Sequence, residues 1–214
     1  MARIPSIFIG HFFEALQAIH AHTDLAAVIG EKGEISESIK AFCMENNLPL
    51  TIVENSDELT FFFQKRPELH GRTLFSAGCG ILFSQKVIDS CSLVVNFHPG
   101  DIFTCRGKHP LPFAILKKLP LMAMTAHVID SEKIDAGPLI AQIFLPIDYT
   151  ASYAANEKTL LDSLSGFVTS VIALLVRGTF RAWDWYGVSP SPYNTRLDPA
   201  ALARILSSDV IGAL

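Results

Sequence analysis

Charge is scarce in this chain. Asp, Glu, Lys and Arg make up 18% of 214 residues, and the formal net charge is −4. No long basic run occurs, which weighs against a DNA or tRNA surface, since neutralising phosphates takes clustered Lys and Arg. Cysteine is scarce as well. Cys43, Cys79, Cys91 and Cys105 are irregularly spaced and no pair has CxxC spacing, so neither a zinc knuckle nor a thioredoxin-type site is readable, and no metal is expected. They read as reduced thiols of a cytoplasmic protein. Two glycine motifs are missing. FIGHFFEAL offers one glycine where a dinucleotide fingerprint needs three, and no GxxxxGK[ST] occurs, so NAD, FAD and P-loop chemistry are not expected. The opening MARIPSIFIG is too short an apolar run for a signal peptide. No segment is expected to reach the ~18 apolar residues of a membrane span. A soluble protein with no membrane contact is the expectation.

What the chain has is apolar mass. Half of its residues are hydrophobic, enough for a sizeable core in one domain with at most a small appendage. PSIFIG reads as a buried strand, and HFFEALQAIHAH after it as a helix with Phe12, Phe13, Leu16 and Ile19 at helical spacing. Residues 25–30 are a second strand. ISESIKAFCMENN is a helix closed by Asn46-Asn47, LPLTIV a third strand, and SDELTFFFQKRPEL a helix with Ser56 or Asp57 as its N-cap. Residues 72–78, SQKVIDSC and SLVVNFH follow as strand, short helix and strand. This alternation predicts an α/β fold: a mostly parallel twisted sheet with helices on both faces. Ligands then collect beyond the carboxyl ends of the strands, near Gly10-His11, residues 78–84 and residues 96–100. The second half reads as a helix at 110–119, two strands at 121–130 and 136–148 that pair antiparallel, and a long apolar helix ending at Gly178. A loop-rich tail with one last short helix completes the chain.

One stretch concentrates polar groups directly after an apolar strand: VVNFHPGDIFTCRGKHP, residues 94–110. Asn96 and His98 are two apart, so in a strand they point to one face. An amide and an imidazole aimed at one point supply hydrogen-bond donors and a proton acceptor. Asp135, in DSEKIDAGPLI, sits in a loop between two apolar strands and can reach the same point. Taken singly these residues read as turn and capping groups. Together they suit acyl transfer to an amine. The amine must lose a proton, and the tetrahedral intermediate carries an oxyanion that needs donors. Direct transfer requires no serine or cysteine nucleophile, so Cys105 has no part in it.

The combination resembles the formyltransferases that use N10-formyltetrahydrofolate. NFHPGDIFTCRGKHP matches their Asn-x-His strand end and the following Arg-Gly, with Asn96, His98, Arg106, Gly107 and Pro110 in register. TAHVIDSEKIDAGPLIAQ matches their later strand and Asp-(Ala/Thr)-Gly, and SAGCGILFSQKVID is similar to their pteridine-holding loop. The resemblance spans about residues 3–178 and implies a Rossmann-like catalytic domain over 1–178, with 179–214 as an extension packed on it. It implies Asn96, His98 and Asp135 as the catalytic trio. Ile81, Leu82 and Phe83 would line the folate pocket, and Asp130 and Ile134 would belong to a loop closing over the pteridine. Gly10, Gly100 and Arg106 are assigned to the amine side. The formyl donor would be N10-formyltetrahydrofolate.

The chain departs from the pattern at Gly100-Asp101-Ile102-Phe103, where the family has Ser-Leu-Leu-Pro, and its loop from His127 to Asp135 is one residue longer. His109 and His127 read equally as packing or site groups. Methionyl-tRNA formyltransferases carry a C-terminal barrel. Glycinamide ribonucleotide enzymes carry a glycine-rich first loop, and formyltetrahydrofolate hydrolases an N-terminal regulatory domain. None of these is read here. The resemblance therefore implies an amino-sugar N-formyltransferase acting on a nucleotide-linked sugar. A siderophore-type hydroxyornithine acceptor, Met-tRNA and a degenerate folate-binding protein remain as alternatives. The aromatic tail WDWYGVSPSPYN reads as core cover, as a nucleotide-stacking surface, or as an interface such as a homodimer would use.

Overall fold

A computed structural model describes residues 3–178, 194 and 196–213. The readings placed on Trp183, Trp185 and Tyr186 lie outside these residues. Seven strands form one sheet in the order β3-β2-β1-β4-β5-β6-β7. They are β1 (Pro5–Gly10), β2 (Asp24–Glu31), β3 (Leu50–Val53), β4 (Thr73–Ala77), β5 (Leu93–His98), β6 (Leu121–Val128) and β7 (Leu139–Pro146). The first five run parallel, while β6 and β7 are antiparallel to their neighbours. The α/β alternation expected from the sequence is present, with a hairpin appended to its edge.

Strand periodicity divides the core. Phe8, Phe75, Val95, Phe97, Met122 and Met124 face one layer. It contains α1 (Phe13–His22), α2 (Glu37–Glu45), α5 (Pro110–Leu116) and α6 (Tyr153–Val176), with α7 (Pro199–Leu206) against α6. Ile7, Ile9, Leu74 and Val94 face the other layer, formed by α3 (Ser56–Lys65) and α4 (Gln85–Ser90). Among the described residues that second layer has no helix over β6 and β7, and this face of the sheet is where the polar residues gather.

Several local expectations are corrected. Helix α1 begins at Phe13 rather than His11, because the His11 and Phe12 N–H groups both donate to the Ala77 carbonyl, at 3.1 and 3.3 Å. Gly10 makes this approach feasible: its φ is +134°, and a Cβ there would lie 1.9 Å from that carbonyl oxygen. The N-cap of α3 is Asn55, whose side chain accepts from the Asp57 and Glu58 N–H groups at 3.0 Å each. Ser56 is already helical. Gly178, at φ +60°, follows the C-cap Arg177 instead of forming the cap itself.

One further correction concerns α6. It has 24 residues, and an 18-residue window of it has a mean hydropathy of 1.8, so it is long and apolar enough to cross a membrane by length and composition. Here it covers the sheet instead. Leu160, Leu164, Phe167, Val168, Val171 and Ile172 are buried, while Glu157, Lys158, Asp162, Ser165 and Ser170 face outward.

Candidate active site

The site grows out of β5. Val95 and Phe97 turn into the α1/α6 layer, where the Phe97 ring meets Phe75 and Phe167 with centroids 6.2 and 6.1 Å apart. Asn96 and His98 take the opposite face, on the same side as Val94, but at the strand's carboxyl end. The antiparallel neighbour β6 sets His127 opposite Asn96 and Thr125 opposite His98. Four polar side chains thus form a square on one patch of sheet, and His98, Thr125 and His127 in it are buried.

Asp135 covers the square. Its backbone is left-handed, with φ +44°, a strained state for an aspartate that the surrounding contacts hold in place. One carboxylate oxygen, Oδ1, lies 3.4 Å from Asn96 Nδ2 and 3.4 Å from His127 Nε2. The other, Oδ2, accepts from the Gly107 N–H at 2.9 Å and lies 3.6 Å from His98 Nδ1. Asn96 Nδ2 and His127 Nε2 lie 3.1 Å apart.

Each imidazole is pinned from behind. His98 Nε2 lies 3.0 Å from the Cys105 carbonyl, and His127 Nδ1 lies 3.0 Å from that of Val128. A carbonyl only accepts, so both of these nitrogens carry hydrogen. The remaining nitrogen of each ring, whose proton is the exchangeable one, faces Asp135. Burial on its own would push the Asp135 carboxyl up. The charge of His98, the hydrogen bond and charge of His127, and the Gly107 N–H together hold it well below the usual carboxylate range.

The departed segment after His98 is organised by its own side chains. Asp101 accepts from the Phe103 N–H at 3.0 Å, from Thr104 Oγ1 at 2.7 Å and from Gln142 Nε2 at 2.9 Å. Gln142 also donates to Thr125 Oγ1, which donates to the Gly100 carbonyl at 2.6 Å. A Cβ on Gly100 would lie 2.4 Å from Pro110 Cβ and 2.8 Å from His98 Nε2, so only glycine lets the loop fold over the imidazole. Asp101 thus ties the loop to β7.

A cavity of about 570 Å³ opens on this cluster. Asn96, His98, Gly107 and Asp135 line it, together with Ile81, Leu82, Phe83, Ile129 and Ile134.

No family model and no curated protein matches the sequence. Solved structures do match in three dimensions. The N-formyltransferase from Helicobacter canadensis, in complex with folinic acid and dTDP-3-aminofucose, superposes with a TM-score of 0.71 at 17% identity, covering 90% of this chain and 71% of that one. Glycinamide ribonucleotide transformylase 1 from Symbiobacterium toebii gives 0.72 at 15% identity, covering 85% and 95%. A sugar N-formyltransferase from Shewanella gives 0.65 at 17% identity, covering 89% and 76%. The chain has the formyltransferase fold. At these identities the likeness is one of architecture, and the chemistry must be argued from this chain's own residues.

Within the formyltransferase fold, the structure brings together Asn96, His98 and Asp135, and sets Ile81, Leu82, Phe83 and Ile134 around the same cavity. It does not bring the other four residues assigned from the sequence to the wall. Gly10 packs against β4 and Gly100 against His98. Arg106 spends its carbonyl on the Asn194 N–H at 2.9 Å, and its Nε is buried. Its neighbours Lys108 and His109 line the cavity instead. Asp130 accepts from Ser131 Oγ and sits beside Gly137 at the base of the loop.

His127 joins the cluster as a full member. The signal for it was the antiparallel pairing: opposite Asn96, any inward side chain of β6 must meet the same point. Glu31 and Glu132 could not be read from the sequence. Glu31 accepts from the Gly80 N–H at 2.8 Å and Glu132 from the Gln85 N–H at 2.9 Å, which fastens the 79–83 segment and the 129–137 loop at either side of the slot. The cysteines stay outside the chemistry. Burial pushes the Cys79 thiol up to about 12 and raises that of Cys105 as well, so neither is a thiolate near neutral pH.

Proposed function

We propose that the protein transfers a formyl group from N10-formyltetrahydrofolate to the primary amine of a nucleotide-linked amino sugar. The observation that carries this reading is the convergence of Asn96, His98 and Asp135 at one point of the cavity, beside a slot walled by Ile81, Leu82, Phe83 and Ile134.

The slot fits the donor's heterocycle. Ile81 and Phe83 are buried and give it apolar walls, while Leu82 stands 57% exposed at its mouth. The Glu31 and Glu132 contacts fix the two backbone segments that would meet ring nitrogens and oxygens. When bound there, the donor supplies an activated acyl carbon.

This chain's residues do the rest. Asn96 Nδ2 and the Nδ1–H of protonated His98 stand ready for the negative charge that develops on the acyl oxygen as the amine adds. Asp135, held ionised by its surroundings, keeps the His98 proton in place and receives the amine's proton, directly or through water. The acyl–nitrogen bond of the donor then breaks, and the leaving nitrogen takes up a proton. His127 and Gly107 position Asp135 and touch neither reactant.

The test is to supply N10-formyltetrahydrofolate with a panel of amino-sugar nucleotides, free amines, hydroxyornithine and Met-tRNA, and to follow tetrahydrofolate release. Turnover confined to an amino-sugar nucleotide is the expected result. Turnover with Met-tRNA or hydroxyornithine would overturn the choice of acceptor. Folate binding without turnover on any amine would mark a binding protein.

A further inference from the structure

The cavity wall carries positive charge that the chemistry above does not use. Lys108, His109 and Arg196 all line it. The chain's last described segment brings them together. Asn194 pairs in parallel with Gly107, its N–H donating to the Arg106 carbonyl at 2.9 Å and its carbonyl accepting from the Lys108 N–H at 3.4 Å. Two residues beyond the bridge on each chain stand His109 and Arg196. His109 is held in the left-handed region, φ 55° and ψ 48°, an uncommon state for a residue other than glycine.

None of these groups has an anionic partner among the described residues. Lys108 and Arg196 make no ion pair among the described residues, and His109 Nε2 is buried without a hydrogen-bond partner. The nearby Lys117 behaves differently, donating to the Thr104 carbonyl and to Asn194 Oδ1. Four of the cavity's carboxylates are already engaged: Glu31 by Gly80, Glu132 by Gln85, Asp135 by the cluster, and Glu157 by the Tyr153 hydroxyl at 2.8 Å. Glu34 follows β2, and Lys133 belongs to the loop over the slot. Burial and the charges of Arg196 and Lys108 lower the His109 pKa, the response of an imidazole set among cations with no anion between them.

We propose that Lys108, His109 and Arg196 form an anion subsite that holds the diphosphate of the amine acceptor. None of the three is ion-paired to a described carboxylate, and a diphosphate offers the charge and the acceptor oxygens to occupy all three. The subsite adjoins Gly107, whose N–H holds Asp135, so a diphosphate seated there anchors the sugar within reach of the reacting centre. The proposal rests on the formyl-transfer reading for the identity of the ligand and on the unpaired cations for its place.

Isothermal titration of the full chain with inorganic pyrophosphate, and separately with tetrahydrofolate, tests it. Both Lys108 and Arg196 are exposed, so Lys108→Ala and Arg196→Ala are expected to fold, with unchanged melting as the check. Pyrophosphate affinity should fall by about tenfold or more in each variant, and more weakly in Lys108→Arg. It should also drop with added salt, while tetrahydrofolate affinity stays as in the parent. Equal pyrophosphate affinity in parent and variants, or no pyrophosphate binding by the parent, would overturn the subsite. So would loss of tetrahydrofolate affinity alone, which would assign the cations to the carboxylates of the folate tail. If the pyrophosphate result holds but no amine is formylated, the formyl-transfer reading falls and the subsite stands.

Discussion

On one face of β5, Val95 and Phe97 are sealed into the α1/α6 layer at 0% exposure. On the other, Asn96 and His98 meet Asp135, His127 and a loop held by single hydrogen bonds. The two faces share a backbone and a register, and they answer to different forces. The apolar face is fixed by area removed from water, which is non-directional and shared among many neighbours. The polar face is fixed by a few directional bonds, each depending on a partner far along the chain. Damage to the first should appear as lost stability, and damage to the second as lost chemistry in a folded protein.

The sharpest contrast sets Phe97→Ala against Asp135→Asn. Deleting the buried ring should cost about 3–5 kcal/mol of unfolding free energy, read from urea denaturation. Asp135→Asn keeps the shape and removes the charge. It should leave the fold largely intact and lower kcat for formyl transfer by roughly 10²–10⁴-fold, the scale seen when one positioned proton-transfer group is lost. An Asp135→Asn protein with full activity would break the comparison.

Asp101→Ala tests the border between the faces. The substitution removes three hydrogen bonds but little apolar area. It should cost about 1–3 kcal/mol and also reduce kcat, because the segment it anchors supplies the Cys105 carbonyl behind His98. Loss of stability without loss of rate would show that the loop is packing alone.

The smallest expected effect is in acid. Asp135 has a folded pKa depressed below its unfolded value of about 3.9. Its contribution is therefore fully present above roughly pH 4 and is lost as pH falls through the folded value. Urea midpoints measured between about pH 2 and 7 should fall more steeply at the acid end for the parent than for Asp135→Asn. Parallel curves would show that the carboxyl is not held by the cluster.

Sequence reading succeeded where the force is local or periodic. The strand–helix rhythm, the same-face rule for Asn96 and His98, and the long apolar helix are consequences of spacing. The misses share a cause. His127 enters through the register of an antiparallel pair, and Asp101 through Gln142, 41 residues away. Lys108 and His109, rather than Arg106, line the cavity, in a stretch whose backbone is bonded to Asn194 near the other end of the chain. Asn55 outcompeted Ser56 as a cap by one residue, a scale at which pattern alone does not discriminate. The α6 span was underjudged because serines and an aspartate interrupt its apolar run, although an 18-residue window of it still averages 1.8.

Gly107 has a neighbour on each side of its peptide plane. Its amide serves Asp135, while the carbonyl before it and the amide after it are both bonded to Asn194. The tail segment and the Asp135 carboxylate are therefore separated by one rigid peptide unit. Two residues 59 positions apart in the chain thus meet at a single peptide unit, one holding its carbonyl and the other its amide.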